Sequence, residues 1–336
     1  MGGAARRGVA LAQPPSRKVH IISATSTRSL TVPASERIRG RRDRGKLARQ
    51  QSATAYLLVA PFFTIFALMI VLPLLYALGV SMFSKRIIGG TTFVGLENFV
   101  RAVTDPQLLE GLGRVGVYML AQIPLTLGLA VVFALAFDSG RVRGSKTARL
   151  LMFLPNAIPA VVATLMWGYL YGNEFGPIAQ LTAALGLPSP DLLAPSNIMY
   201  GIVNIAFWGA LGYNMIILYA ALQSIPSELY EAAELDGASA LRTAWSIKIP
   251  AILPAITLCI LLSFIGGFQL FNEPNLLAPL APGAINSSYT PNIYIYNTAF
   301  ASQDVGYAAA MSFVLGLLIV IISYVVQLST TRKERG

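Results

Sequence analysis

The amino-acid sequence predicts an all-α polytopic membrane protein with six transmembrane helices, and three observations carry that expectation. Hydrophobic residues make up 55% of the 336 and charged residues 12%, with a mean hydropathy of +0.62. Six apolar stretches, each near the roughly 20 residues a helix needs to cross the hydrocarbon core, follow one another after Ser52. Charge collects between them, and no Asp, Glu, Lys, Arg or His stands in the middle of any stretch.

Residues 1–52 are rich in Arg, Ser, Pro and Ala with no sustained period, which reads as a disordered basic tail ending in ERIRGRRDRGKLAR. The predicted spans are Ala55–Phe83, Val115–Phe137, Leu150–Tyr171, Ile198–Leu222, Ile252–Phe271 and Tyr307–Leu328, so that a membrane domain covers 53–330 and a short end, 331–336, follows it. Pro61, Pro73, Pro124, Pro155 and Pro159 lie inside these spans, where neighbouring helices can satisfy the carbonyls that a proline frees. The stretches 84–114, 172–197 and 272–306 are longer than tight turns and carry Gly, Pro and Asn throughout, a length more typical of docking or functional surfaces than of plain connectors.

The net charge of +10 resembles a nucleic-acid signal until its location is considered, because about half of the Lys and Arg precede Ser52 among few aromatics. It is a topology signal. The tail, the loop with Arg141, Arg143, Lys146 and Arg149, the segment with Arg242 and Lys248, and the end with Arg332, Lys333 and Arg335 all fall on one side of a six-span chain. The positive-inside rule makes that side the cytoplasm, with both termini on it, in a plasma or inner membrane. Opposite loops hold only Lys85, Arg86, Arg101 and Arg114.

Several chemistries are excluded by what is missing. One cysteine, Cys259, cannot form an internal disulfide or a Cys-based metal cluster, and one histidine, His20, leaves little for a metal site or a His-based triad. A Gly-rich GxxxxGK[ST] phosphate loop is absent, and so are the buried ionisable groups of ion-driven carriers, so the energy for any pumping must come from a partner. The residues therefore point to no enzyme chemistry and to no cofactor or metal of the chain's own. What the spans offer instead are Asn156, Trp167, Asn204, Trp208, Tyr213, Asn214, Ser263 and Gln269. Neutral amides and hydroxyls beside aromatic faces suit a polyhydroxylated solute, and they equally suit hydrogen bonds between helices.

One polar segment in the second half, 224–250, reads as two short helices. The first has Pro226 in its first turn, Glu228, Glu231 and Glu234 along one stripe, a bulk-free face at Ala232 and Ala233, and Gly237 where a left-handed C-terminal cap would fall. The second, 238–249, carries Leu241, Trp245 and Ile249 at four-residue spacing, a stripe suited to packing on the chain's own spans, before Pro250 opens the next one.

The letters here, EAA, three residues, Gly, nine residues, then Ile-Lys-Ile-Pro, resemble the EAA loop of type I ABC-importer permeases. Glu231, Ala232, Ala233, Gly237, Ile247 and Pro250 stand at that family's positions, with Ile249 where Leu is usual. YLLVAPFF and LPLLYALGVSMF in the first span, FVGLENF, RLLMFLPNAIPAVVATLMWGYLY, WGALGYNMIILYAALQSIP and IYNTAFASQDVGYAAAMS extend the resemblance to the carbohydrate-uptake branch, over nearly everything except the tail.

What the resemblance implies is a coupling helix in the EAA loop that contacts a cytoplasmic ATPase. It further implies two ATPase subunits that hold ATP and Mg, a second permease subunit that makes the pair a heterodimer, and an extracytoplasmic sugar-binding protein. It also implies a substrate path at Leu211, Gly212 and Tyr213 before the EAA loop and at Ser263, Gly266 and Gly267 after it, which the polar Asn214 and Gln269 of the same spans extend. Where relatives place Asn and Phe after the Ser-Phe pair, this chain has Gly266 and Gly267, so the resemblance stops short of the sugar's pose. Two other readings keep the same segment: a secondary carrier or facilitator, which would move solute unaided, and a membrane scaffold, which would bind a cytoplasmic partner without transport.

Overall fold

The computed structural model describes residues 56–86, 90–173 and 176–334, with no side-chain description from 329 onward, so the tail predicted at 1–52 lies outside it. The chain divides between Leu68 and Met69 into two units. The first contributes the opening turns of helix α1 (Tyr56–Ser81), and the second holds everything that follows.

Among the described residues five helices are long and apolar enough to cross a membrane. They are α1, then α3 (Pro106–Asp138), α7 (Ile198–Leu222), α10 (Leu253–Phe268) continued by α11 (Asn272–Leu277), and α13 (Val305–Glu334). Ile198–Leu222 is the predicted fourth span to the residue. The helix of the second span starts nine residues before the predicted Val115, because Asp105 caps α3 by accepting from the amides of Gln107 (2.8 Å) and Leu108 (3.4 Å), with Pro106 in the first turn. At about 1.5 Å per residue, its 33 residues reach about 50 Å, beyond the hydrocarbon core at one end.

The third span is not one helix. Helix α4 (Ser145–Phe153) passes through a 3-10 turn (Leu154–Ala157) into α5 (Ala160–Leu170), and the two are bent by 95°. Ile158, held before Pro159, takes the extended conformation (φ −81°, ψ 129°), the one that a following proline ring favours.

The connecting stretches are built, not loose. Strands β1 (Phe83–Arg86) and β2 (Gly90–Phe93) form an antiparallel ribbon, a small departure from an all-α chain. Beyond it come α2 (Glu97–Thr104), α6 (Pro177–Ala184) and α12 (Pro291–Phe300). The carboxylate of Asp105 gathers this end of the bundle: besides capping α3 it accepts from the hydroxyls of Tyr294 (2.9 Å) and Tyr307 (2.5 Å), while Arg101 lies 3.8 Å over the Tyr307 ring and 3.6 Å from Asp304. Burial pushes the Asp105 carboxyl up, but hydrogen bonds from Tyr307, Tyr294 and the two amides outweigh it, leaving the group below its ordinary range.

The core lies where α3 and α7 run side by side, with Met215, Leu218 and Leu222 of α7 against Leu127, Ala130 and Ala134 of α3 and Cys259 of α10. Small residues permit close approach, as expected in helices that pack without help from water. Gly212 is the extreme case, since a Cβ there would stand 1.8 Å from the carbonyl oxygen of Met152. Large apolar side chains elsewhere, such as Leu120, Tyr200 and Leu317, face outward, as a lipid solvent requires.

Candidate functional site

Where the α4–α5 break faces the middle of α3, α7 and α10, the protein forms an open cavity of about 600 Å³. The break exists because of Pro155 and Pro159, and it presents Asn156 to Ala160 to the space. Tyr118 and Gln122 contribute from α3, Trp208, Tyr213 and Asn214 from α7, and Ser263, Gly266 and Gly267 from α10. The Asn156 amide bonds the Gly209 carbonyl at 3.5 Å, the Asn214 amide bonds Ala210 at 2.9 Å, and Gln122 donates to Thr126 at 3.1 Å. Trp208 stands edge-on to Trp167 at 5.7 Å, and Trp167 continues to Tyr171 at 5.5 Å, so an aromatic wall backs the amides. Such a lining gives stacking faces and hydrogen-bonding edges together, which is what a sugar ring needs.

Of the eight path residues expected from sequence, Tyr213, Asn214, Ser263, Gly266 and Gly267 meet at this cavity, whereas Leu211, Gly212 and Gln269 do not line it. Each exception has a local cause. Leu211 packs on the hydrophobic core, Gly212 is the contact point between α7 and the Met152 backbone, and Gln269 is the C-terminal cap of α10, its amide on the Gly266 carbonyl at 3.0 Å.

Glu273 was not among the expected residues, and it lines the cavity too. Residues 269–271 interrupt the helix, and α11 carries Glu273 back over the space within a candidate span running Leu253–Leu277. Glu273 stands near the end of that span, beyond the predicted Ile252–Phe271, and among the described residues its carboxylate has no ion-pair partner. Its signal in the sequence was a lone acid directly after an apolar run, assigned there to the following loop.

At the far end of the same helices, the segment 224–250 forms α8 (Ser227–Leu235), α9 (Ala240–Thr243), a π-turn (Ala244–Lys248) and the step Ile249–Ala251 into α10. Gly237 (φ 71°) ends α8 in a Schellman motif, with the Ala238 amide on the Ala233 carbonyl at 2.9 Å and the Gly237 amide on Glu234 at 3.0 Å. Pro226 caps the helix from just outside it, not within its first turn. Glu228, Glu231, Glu234 and Ala232 are exposed but Ala233 is buried, because adjacent residues on a helix point about 100° apart; the two alanines do not share one face. Leu235 is 89% exposed at the tip.

Sequence reading merged the second helix into one run, but Ser239 caps a separate turn by accepting from Arg242 at 3.3 Å, and the π-turn follows. Leu241, Trp245 and Ile249 do line a cleft against α3 and α10, yet Leu241 (69%) and Trp245 (65%) stay exposed, so the stripe is not closed onto the chain's own spans. Ile247 is half-buried and Pro250 exposed. Tyr230 turns inward from α8, its ring 4.7 Å from the Lys248 ammonium. Burial, and then the Asp138 charge, push its hydroxyl above its ordinary value.

Comparison with known proteins agrees with this architecture. The family described as "Binding-protein-dependent transport system inner membrane component" matches residues 122–335. The diacetylchitobiose uptake system permease protein NgcF of Streptomyces coelicolor is 32% identical over 70% of this chain and 69% of its own. The lactose transport system permease protein LacF of Rhizobium radiobacter is 29% identical over 84% and 95%. In crystal form, a bacterial ABC transporter involved in import of the acidic polysaccharide alginate contains a chain of the same fold, with a TM-score of 0.75 at 18% identity, covering 86% of this chain and 99% of that one. With a matched region that takes in both the cavity-lining helices and the exposed capped segment, the chain belongs to the family of inner membrane components of binding-protein-dependent transport systems.

Proposed function

We propose that this chain is one permease subunit of an ATP-driven importer of a neutral sugar or oligosaccharide. It pairs with a second permease, two cytoplasmic ATPase subunits that bind ATP and Mg, and an extracytoplasmic binding protein that delivers the solute. The observation that carries this reading is α8: the EAA letters fold as a separate, capped, exposed acidic helix whose Leu235 has no cover among the described residues. A helix presented this way is fitted to enter a groove on another protein. Coupling residues are Glu231, Ala232, Ala233 and Gly237 on α8 and its cap, with Ile247 and Pro250 setting its approach to α10.

The Lys and Arg of the sequence support putting this end, and both termini, in the cytoplasm. The names of NgcF and LacF support a carbohydrate as cargo, and the amide and aromatic lining of the cavity supports the same class. ATP-driven closure of the ATPase pair would move α8 and rock the spans between inward- and outward-open forms. An equilibrium is shifted only by differential affinity, so the ATPase must hold α8 differently in the two states. Tyr213, Asn214, Ser263 and Gln122 would bind the sugar edge while Trp208 takes a ring face.

The test is reconstitution in proteoliposomes. The four-component complex with binding protein outside is expected to accumulate sugar only with ATP on the ATPase side. Accumulation by this chain with no ATPase present would overturn the reading in favour of a carrier. Partner binding without any flux by the full complex would overturn it in favour of a scaffold.

A further inference from the structure

The C-terminal ends of α3 and α7 and the entry to α10 are tied by one carboxylate. Asp138, the last residue of α3, forms an ion pair with Lys248, the last residue of the π-turn, while its other oxygen accepts from the Gln223 amide at 2.8 Å, at the end of α7. The side chains are 5% exposed for Asp138 and 15% for Lys248. Charges withdrawn from water to that degree are costly and persist only when paired. Nor does Asp138 serve its own helix, because a carboxylate at a helix C-terminus opposes the macrodipole.

The same lysine meets α8 through the face of Tyr230. Apart from Tyr230 and the buried Ala233, α8 turns mostly exposed side chains outward, so little else fastens it to the spans. The three elements knotted at Asp138 are also those that line the cavity, with Tyr118 and Gln122 on α3, Trp208 and Tyr213 on α7, and Ser263 on α10.

We propose that the Asp138–Lys248 pair, keyed by Gln223 and capped by Tyr230, is the joint that passes movement of α8 to the cavity-lining helices. The inference rests on the importer reading above and names positioning residues for it. Coulombic pairing keeps its attraction over a tilt that would open an apolar contact, so a joint of this kind can pivot without separating. Movement of α8 shifts Lys248 through the Tyr230 ring, Lys248 carries Asp138, and Asp138 takes the ends of α3 and α7 with it.

The experiment measures uptake and ATP hydrolysis separately in the reconstituted complex for Asp138→Asn, Lys248→Gln and the double exchange Asp138→Lys with Lys248→Asp. Each single variant is expected to co-purify with the ATPases and keep hydrolysing ATP, while sugar uptake falls about tenfold or more, since an unpaired buried charge or a lost partner disables the joint. The exchanged pair is expected to recover uptake. Wild-type uptake per ATP in the single variants would overturn the proposal, and so would loss of ATPase co-purification, which would make the pair a brace for docking. Absence of ATP-dependent uptake in the wild-type complex would instead overturn the importer reading itself, so the two failures are distinct.

Discussion

When ionised, Glu273 is the one negative charge among the side chains that line the cavity. At an effective dielectric of about 20, a like charge about 8 Å away costs about 2 kcal/mol, more than tenfold in affinity. An acidic sugar would meet that cost and a neutral or amino sugar would not. Uptake of a neutral oligosaccharide is therefore expected to resist competition by its uronate analogue, and Glu273→Gln to let the uronate compete about tenfold better. Equal competition before and after the change, measured with labelled sugar in the reconstituted complex, would remove the residue from the solute path. Other single residues act only through geometry. Gly212 admits the Met152 carbonyl, and Asp105 binds two tyrosines and the start of α3 with one carboxylate.

At the level of elements, the cap of α8 is where local sequence and proposed coupling coincide. Among the described residues a Cβ at position 237 would meet no atom within 4 Å, so what opposes a substitution there is the backbone conformation. The left-handed region costs an ordinary residue about 1–2 kcal/mol, and a β-branched one is a rare outlier in it. Gly237→Val is expected to fray the last turn of α8 and reduce uptake per ATP hydrolysed, whereas Gly237→Asn, which tolerates the left-handed region, is expected to remain close to wild type. Equal behaviour of both variants in a coupled uptake and hydrolysis assay would remove the cap from the coupling path. The α4–α5 break shows the opposite balance of local and distant causes. Pro155 and Pro159 announce an interruption, but a bend of 95° needs the neighbouring helices to hold it.

For the whole molecule, the distribution of polar clusters along α3 supports a two-sided bundle. Arg101, Arg114 and Asp304 gather near its start, while Asp138, Lys248 and the Arg149–Tyr219 stack gather near its end. In intact cells, a membrane-impermeant thiol reagent is expected to label Ser196→Cys, in the stretch between α6 and α7, and to reach Glu234→Cys only after permeabilisation. Both positions are exposed, and Cys259 is buried, so the readout is of sidedness. Labelling of position 234 from outside would invert the topology and remove α8 from reach of ATP.

Six apolar stretches, the charge bias between them and the cap at Gly237 were legible in the chain itself, because each depends on residues within a turn or a span of one another. The EAA letters were legible for the same reason. Which path residues reach the cavity was not: Gly212 and Tyr213 are neighbours in sequence, yet one meets the Met152 backbone and the other the cavity. Nor could the sequence place Glu273 inside, or pair Asp138 with a lysine 110 residues away. Tertiary structure decided those, since the direction of a side chain and the partner of a buried charge are set by which helices pack together, and that packing is the sum of contacts between distant parts of the chain.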